Sequence, residues 1–418
     1  MFKIKAKSIC ENIAFIIIVC MISSFFLFDV SKASSLSVLL CAILLFGVYC
    51  VESKLKIRFK VEPFHYFVLL FSLFCFFSSV WAQYPSRAIE KGNTILQLLI
   101  CFSIVYMYYS HFSSVDRLLK ATVWAGTFLS IYTILTNGIG TIIYTLSVGA
   151  RMESEFTNIN SLSGISSTAV ILAMYFFLSK EKMYVFTIIP NIVIVAASGS
   201  RKSLVLAILG IAMVIFDKNK SKNFLKSLLK IVFWGIVAIL VAKVILEMPM
   251  FSMINERMQG LFAALTHRSG ADSSALKRTI MIRVGLEQFM RTPIFGVGIN
   301  NSGPVVLANV MNGEYINAYL HNNFVELLAC GGIVGFVIYY SMYYYSFKVL
   351  WKNRNNESKK TNIYLILLVC FLVLDYGQVT YYSKYTYYFI MIFFLVSKDI
   401  KINNWRQKNA YKKKKINV

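Results

Sequence analysis

The sequence is a series of long apolar runs separated by polar connections. Backbone amides have no water partners in lipid, so each run is predicted to be a membrane-spanning helix. Several runs are shorter than the ~20 residues of a straight span, so eleven to thirteen spans also fit the pattern. The twelve predicted spans are 12–28, 36–51, 64–82, 94–109, 118–136, 161–178, 183–198, 203–217, 227–245, 322–347, 361–377 and 383–397.

Composition supports this architecture. Apolar residues make up 57% of the 418 residues and charged residues only 15%, against ~25% charged in ordinary soluble domains. We therefore predict an all-α polytopic membrane protein, with residues 1–418 as a single membrane domain. The eight cysteines lie in or beside apolar runs, without C-x-x-C spacing, which favours packing roles over disulfides or zinc ligands.

The net charge of +24 does not indicate nucleic acid binding, because the 43 lysines and arginines fall between apolar runs rather than on one face. Most of them collect on one side when alternate connections are assigned to alternate sides. By the positive-inside rule, this side and both termini are predicted to be cytoplasmic. The lysine-rich tail 399–418 is interpreted as a topology determinant attracted to anionic lipids. Cleavage of the N-terminal segment as a signal peptide is a less favoured alternative, because its apolar region is too long.

Two connections on the outward side are long enough to carry function. Residues 137–160 contain glycine and the charged residues Arg151, Glu153 and Glu155. Residues 246–320 far exceed the length of a simple connector and are predicted to contain short helices, including a helical stretch that reaches Met290. We searched these outward regions for functional residues, since polar groups at membrane depth are costly.

The segment S-G-S-R-K-S places Arg201 and Lys202 immediately before the span 203–217, with Ser200 suited to cap the helix. A helix N-terminus adds its free amides and dipole to these charges and can bind an anion. Interfacial anchoring is the alternative. Farther along, Arg278 and Arg283 would project about 140° apart on a helix, so both cannot enter one pocket. Because Arg283 has Glu287 four residues on, Arg278 is the better ligand candidate.

His321 precedes a predicted span that continues through Gly331, Gly332 and Gly335. Its imidazole can accept a proton near neutral pH and could activate a hydroxyl, although a capping or interfacial role is also open. The spacing of Gly331 and Gly335 predicts close helix packing, within the chain rather than between chains. Asp375, near the outer end of the eleventh span, is more readily interpreted as a charge partner than as a base.

Several motif classes do not occur in the sequence. It has no D-x-D pair, which weakens a metal-dependent sugar-nucleotide transferase. It also lacks a Walker A loop, a G-x-S-x-G elbow and an H-E-x-x-H motif. We therefore expect no metal site and no cofactor. Arginines and a histidine on the outward side favour a phosphate-bearing ligand, such as a lipid-linked diphosphate.

At these residues the sequence resembles the O-antigen polymerase and O-antigen ligase superfamily of bacterial surface-polysaccharide assembly. The matching segments are R-M-E-S-E-F-T-N-I-N from Arg151 to Asn160, S-G-S-R-K-S around Arg201, the P-I-F-G-V-G pattern after Arg278, and L-H-N-N-F-V-E-L-L-A-C-G-G-I-V-G-F from Leu320. Their order and the long outward loop agree with the family over roughly residues 140 to 350.

The resemblance implies a multi-span, GT-C-like glycosyltransferase of the inner membrane, acting at its outer face on undecaprenyl-diphosphate-linked oligosaccharides as donor and acceptor. It implies that Arg201 and Arg278 hold the diphosphate and that His321 positions or deprotonates the acceptor hydroxyl. Secondary candidates are Arg151, Lys202, Asp375, Asn322 and Asn160. Membrane lipids are expected partners, a chain-length regulator is a candidate partner, and nucleic acid is not expected.

Three functions stay open at this point. A polymerase, in O-antigen or capsule assembly, transfers the growing glycan to the next lipid-linked repeat unit, and the combination of A-R-M-E-S-E-F-T-N-I-N with S-G-S-R-K favours it by similarity. A ligase transfers the glycan to lipid A-core. A flippase or transporter for lipid-linked sugars is a third candidate, but the sequence lacks the paired halves typical of transporters.

Overall fold

The computed structural model describes residues 2–27, 32–148, 150–154, 157–219, 273–308, 316–354 and 361–416. Across these residues the regular structure is helical and no strand occurs. A 3₁₀ turn at Lys182–Tyr184 and a π-helical segment at Ser302–Leu307 accompany the α-helices. The α-helices are α1 Phe2–Leu27, α2 Lys32–Glu52, α3 Pro63–Ser78, α4 Pro85–His111, α5 Val115–Asn137, α6 Ile139–Ser147, α7 Ile159–Leu178, α8 Val185–Ala197, α9 Arg201–Lys218, α10 Ser273–Arg291, α11 Asn323–Lys352, α12 Thr361–Gly377 and α13 Lys384–Ile416.

Local sequence explains many of the helix boundaries. Proline is the first residue of α3 and of α4, where its missing amide hydrogen costs no helical hydrogen bond. Helix α7 begins after Asn158, whose side chain accepts a hydrogen bond from the Asn160 amide at 2.9 Å. Gly138, with φ +80°, separates α5 from α6.

Among the described residues, six helical segments are long and apolar enough to cross a membrane: Ile9–Leu27, Ala33–Glu52, Pro85–His111, Val115–Asn137, Ile159–Leu178 and Asn323–Lys352. The protein is therefore a polytopic membrane protein, as predicted. Three further predicted spans fall on shorter apolar helices: Pro63–Ser78, Lys182–Ala197 and Thr361–Gly377. The span predicted at 203–217 lies within α9, and the span predicted at 383–397 begins one residue before α13 and otherwise lies within it. The span predicted at 227–245 lies outside the described residues.

The long predicted connections carry helices of their own. Helix α6 occupies much of the 137–160 connection. In the 246–320 connection, α10 confirms the predicted helical stretch up to Met290, and the π-helical segment follows it. Residues 246–272 and 309–315 of this connection lie outside the described residues.

The chain divides into two compact units. Unit 1 comprises residues 1–44 and 116–282, and unit 2 comprises residues 45–115 and 283–418. In unit 1, α7 packs against α8 and α9. A Cβ at Gly126 would lie 2.7 Å from the Ala169 Cβ, so α5 and α7 approach closely there. Next to this approach, the buried Asn191 amide bonds Ser130 and Thr127. This network satisfies polar groups that lipid could not.

Unit 2 is built on the pairing of α3 with α4, with α11 and α13 packed against them. Ser72 of α3 donates to the Gly92 carbonyl oxygen of α4 at 2.9 Å. A Cβ at Gly335 of α11 would lie 2.5 Å from the Phe74 ring of α3, and one at Gly331 would lie 3.3 Å from it. The prediction that Gly331 and Gly335 permit close packing within the chain is therefore confirmed.

Candidate functional site

The basic residues of the candidate site lie in unit 1, at the start of α9. The turn Ser198–Ser200 links α8 to α9 and passes through Gly199 at φ +58°, a left-handed conformation that favours glycine. Two serines of α7 fix the first turn of α9: Ser163 Oγ lies 2.7 Å from Ser203 Oγ, and Ser167 Oγ donates to the Ser203 carbonyl oxygen at 2.7 Å. The N-terminus of α9 is therefore held rigidly against α7.

The predicted capping role of Ser200 is wrong. Ser200 does occupy the residue before α9, but its side chain makes no capping hydrogen bond. Its hydroxyl lies 3.1 Å from Ser203 Oγ instead, and Ser203 Oγ also contacts Ser163 of α7. The first amides of an α-helix have no partner within the helix. At α9 the Ser200 side chain does not supply the capping hydrogen bond that the sequence predicted.

Backbone docking places Arg151 beside this turn. The Met152 amide donates to the Ala197 carbonyl oxygen at 3.0 Å, and the Met152 side chain is buried. The segment 150–154 is therefore held against the end of α8, next to the turn that leads into Arg201 and Lys202. Arg151 itself is exposed.

The charges of three predicted site residues, Arg151, Lys202 and Arg278, influence one another. Lys202 is half-buried and precedes the predicted span 203–217. Burial, followed by the positive charges of Arg278 and Arg151, lowers the pKa of Lys202 from 10.5 to about 8. Like charges disfavour protonation of a neighbouring amine, so all three cations share one electrostatic environment. Arg201, the first residue of α9, is half-buried and adjoins Lys202 in the chain. We call Arg151, Lys202 and Arg278 the basic cluster.

The two candidate arginines of α10 have different neighbours. Arg283 Nε lies 3.0 Å from Glu287 Oε1 in an exposed pair of residues one turn apart. The prediction that Arg283 is held by Glu287 is therefore confirmed. The positive charge of Arg278, on the same helix, lowers the pKa of Lys202.

His321 lies in unit 2, in the turn before α11. Its backbone adopts φ +56°, which is uncommon for a residue with a Cβ, and its ring lies 4.4 Å from the Tyr319 ring between centroids. Asn322, which follows it, caps α11: its Oδ1 accepts from the Val325 amide at 3.1 Å. Asn322 is buried, and its observed role is to fix the start of α11 immediately after His321.

Glu326, which was not among the candidates predicted from the sequence, holds the same turn through hydrogen bonds. Its buried carboxylate accepts from the Leu320 amide at 2.9 Å and from the Ser302 hydroxyl at 2.6 Å. Leu320 immediately precedes His321, so Glu326 ties the backbone of the histidine turn to the π-helical segment. A lone glutamate inside an apolar run was the available signal, since a buried carboxylate needs donors.

The P-I-F-G-V-G pattern is a docking segment. Helix α11 breaks at Gly332, which has φ +59° and ψ −165°. Residues 293–298 close this break through backbone hydrogen bonds. The Val297 and Gly298 amides donate to the carbonyl oxygens of Ala329 and Cys330 at 3.0 and 2.9 Å.

The same segment also accepts across the break. The Ile333 amide donates to the Pro293 carbonyl oxygen at 2.8 Å, and the Val334 amide to that of Ile294 at 3.2 Å. The break thus keeps its backbone partners, as irregular backbone inside a membrane protein must. Two of the predicted motifs, the pattern after Arg278 and the glycines after His321, are one structural unit.

Asp375 has hydrogen-bond donors rather than a cation beside it. Its carboxylate is buried and accepts from Thr380 Oγ1, from Tyr340 Oη at 3.0 Å and from Asn323 Nδ2 at 3.5 Å. Asn323 Oδ1 in turn accepts from the Thr380 and Tyr381 amides at 2.9 and 3.0 Å. The interpretation of Asp375 as a charge partner for an arginine cluster does not agree with these contacts, because the hydroxyls and the amide already satisfy its oxygens.

The predicted site residues thus fall into two groups. Unit 1 holds Arg201, the basic cluster and Asn160, which lies in the first turn of α7 and whose backbone carbonyl oxygen accepts from the Ser163 hydroxyl at 3.1 Å. Unit 2 holds Asn322, His321 and Asp375.

Comparison with known families agrees with the resemblance in the sequence. Residues 184–340 match the family model described as O-Antigen ligase. This range contains Arg201, Lys202, Arg278, the P-I-F-G-V-G segment and His321. The match confirms the resemblance to the O-antigen ligase and polymerase superfamily. No curated protein matches the chain.

Proposed function

We propose that this chain is a polysaccharide polymerase of the bacterial inner membrane. Its residues 184–340 match the O-antigen ligase family model. It joins undecaprenyl-diphosphate-linked repeat units at the outer face of that membrane and uses neither a metal nor a nucleotide. The observation that carries the proposal is the basic cluster at the N-terminus of α9, where burial and two guanidinium groups disfavour the charge on Lys202.

In this proposal the basic cluster and Arg201 bind the diphosphate of the donor. Guanidinium groups form paired hydrogen bonds with phosphate oxygens, and the helix N-terminus adds donors. When the bond between the anomeric carbon and the diphosphate oxygen breaks, negative charge develops on the leaving diphosphate. Fixed cations stabilise that charge without a metal ion.

The acceptor is assigned to unit 2. His321 takes the proton of the acceptor hydroxyl, or orients it, as the hydroxyl oxygen bonds to the anomeric carbon. The Asn322 cap and the Glu326 carboxylate hold the histidine turn in place. If the imidazole acts on the acceptor, His321→Ala lowers turnover more than donor binding. Equal losses in both would assign His321 a structural role.

Purified protein in lipid, given a defined diphospholipid-linked repeat unit, tests the proposal. A polymerase converts the unit into a ladder of longer lipid-linked glycans. Arg201→Lys should lose much of this activity, because a point charge cannot replace the paired geometry of a guanidinium. A ladder of unchanged rate and length after alanine substitution of Arg201, Arg278 and His321, each tested singly, would reject the assigned site.

A ligase is the second candidate, and the description of the matched family favours it. The same preparation distinguishes the two when lipid A-core is the only acceptor offered. Glycan on lipid A-core identifies a ligase, whereas extension of the lipid-linked unit identifies a polymerase. Movement of intact lipid-linked glycan without a new glycosidic bond would identify a transporter.

A further inference from the structure

Unit 2 contains a second cationic site, away from the histidine turn. An open cleft of about 210 Å³, counting its solvent-filled mouth, lies between the 52–63 connection, the start of α3, the last turns of α4 and the middle of α13. Charged and aromatic residues line it: Arg58, Lys60, His65, Tyr106, His111 and Lys398. They lie in the 52–63 connection, near the ends of α3 and α4, or just after the apolar run of α13, on the side predicted to be cytoplasmic. The proposed transfer reaction uses none of them.

Two buried polar atoms line this cleft without a partner. Among the described residues, His65 Nε2 and Tyr106 Oη have no hydrogen-bond partner. The His65 side chain is only 7% exposed and Tyr106 only 2%. Buried polar atoms are nearly always hydrogen-bonded, so these two leave hydrogen-bonding capacity on one cleft for a bound water or ligand.

The protonation of His65 identifies what these atoms offer. His65 Nδ1 lies 3.0 Å from the Glu62 amide nitrogen, which can only donate, and 3.3 Å from the Glu62 carbonyl oxygen, which can only accept. The amide contact is the shorter, so we assign the lone pair to Nδ1 and the ring hydrogen of the neutral imidazole to Nε2. Both Nε2 and the Tyr106 hydroxyl can then donate into the cleft. The ligand must be an acceptor.

The charge of the cleft narrows the ligand further. Lys398 Nζ lies 3.3 Å from Glu62 Oε1 and 5.4 Å from the centre of the Tyr106 ring. Lys60 lies 4.0 Å from the same carboxylate and is 81% exposed, and Arg58 is also exposed. The charge of Asp399 also acts on Tyr106. Three cations against the two carboxylates of Glu62 and Asp399 still leave an excess of positive charge, which suits an anion with several acceptor oxygens.

We propose that this cleft binds a phosphate group, presented by an anionic lipid or by free phosphate. His65 and Tyr106 donate to its oxygens, while Arg58, Lys60 and Lys398 neutralise its charge. Basic pockets at helix ends on the cytoplasmic side are suited to lipid headgroups. The site would tie the protein to anionic lipid at the face opposite the proposed reaction.

The surroundings favour the lipid as the source. Leu69 is one helical turn from His65 on α3 and is 40% exposed, and the neighbouring Leu70 is 50% exposed. These apolar side chains lie along α3 toward the membrane interior and would contact acyl chains of a lipid whose phosphate occupies the cleft.

Lipid binding to the full-length protein tests the proposal. The protein is purified in a neutral detergent and titrated with phosphatidylglycerol, with zwitterionic phosphatidylcholine or with inorganic phosphate, and native mass spectrometry counts the bound molecules. We expect one retained phosphatidylglycerol and no retained phosphatidylcholine. Retention of inorganic phosphate, or its competition with the lipid at equal concentration, identifies free phosphate as the ligand of the same site.

Two variants report on the cleft itself. Tyr106→Phe removes only the unpartnered hydroxyl and should weaken binding about tenfold, as expected for a hydrogen bond to a charged group. Arg58→Gln with Lys60→Gln should weaken it about thirtyfold. Both basic residues are exposed, so the double variant should fold normally.

A matched pair in the same connection provides the control. Lys54→Gln with Lys56→Gln makes the same charge change at exposed residues that do not line the cleft. Binding by this control should match the unaltered protein. Equal losses in the two double variants would show diffuse attraction to a basic surface and overturn the site. So would unchanged binding in Tyr106→Phe and in the Arg58 and Lys60 variant, or the absence of any bound phosphate compound.

Discussion

The basic cluster of unit 1 and the buried carboxylates of unit 2 differ in the groups that surround their charges. In unit 1, Arg151, Lys202 and Arg278 raise one another's electrostatic energy, and the lowered pKa of Lys202 reports it. In unit 2, the buried carboxylates of Glu326 and Asp375 accept hydrogen bonds from neighbouring backbone and side chains. A group of like charges gains most from an oppositely charged ligand, whereas a satisfied buried carboxylate fixes backbone. The contrast indicates that the basic cluster is suited to an anionic ligand, whereas Glu326 and Asp375 hold the backbone and side chains around them.

The largest expected effect separates two arginines on one helix. Arg278→Ala should lower turnover in the extension assay by about 10²–10³-fold, the usual loss when a donor to developing negative charge is removed. Arg283→Ala, on the same helix, breaks only the exposed pair with Glu287 and should stay within about twofold. Similar losses in the two variants would mean that α10 contributes only general positive charge.

A glycine substitution tests the geometric role of unit 2. Gly332→Ala should destabilise the protein by about 3 kcal/mol, because a Cβ there meets the Ile294 backbone at 2.3 Å and φ is +59°. Gly47→Ala, where a Cβ meets nothing within 4 Å, is the matched control in a helix. Thermal unfolding in detergent compares them. An unchanged midpoint for Gly332→Ala would show that the break in α11 does not require glycine at this position.

Glu326→Gln tests whether the histidine turn depends on its buried carboxylate. The amide group offers hydrogens where Leu320 and Ser302 already donate, so we expect a loss of about 2 kcal/mol in stability. The turnover number should fall while the donor affinity stays constant, since donor binding is assigned to unit 1. Glu287→Gln, at an exposed pair, should change neither quantity. A loss of donor affinity in Glu326→Gln would contradict the division of roles.

The smallest effect concerns pH. Lys202 is protonated at pH 7 and mostly neutral at pH 9, because its pKa is about 8. Affinity for a prenyl diphosphate should therefore fall about fivefold over this interval in the unaltered protein, relative to Lys202→Met. The folded state binds fewer protons than the unfolded state between pH 8 and 10.5, so this lysine also makes stability rise with pH there. Parallel pH profiles in the two proteins would refute the coupling.

The sequence predicted the helical membrane architecture and the Arg283–Glu287 pair because both depend on local patterns. Apolar runs report burial in lipid, and residues four apart on a helix meet. The break at Gly332 could not be predicted, since an apolar run with three glycines fits a continuous helix equally well. What decides it is the docking of residues 293–298, a contact between distant segments. The role of Glu326 depends on the same kind of tertiary contact.

The span count shows the same limit. Residues 203–217 and 383–397 were predicted as spans from their apolar character, yet they lie in helices α9 and α13 that also carry charged residues. Apolar character alone does not set where such a helix enters lipid, because charged side chains near an end can reach the interface. Helix α6, in contrast, lies in a segment interpreted as a loop.

Whether the basic cluster binds the donor diphosphate can be measured as equilibrium binding of undecaprenyl diphosphate to the purified protein. We expect that replacing Arg151, Lys202 and Arg278 together by alanine abolishes measurable binding, that Arg283→Ala leaves it unchanged, and that undecaprenyl monophosphate binds more weakly than the diphosphate. Undiminished diphosphate binding by the folded triple variant would show that the basic cluster is not the diphosphate site.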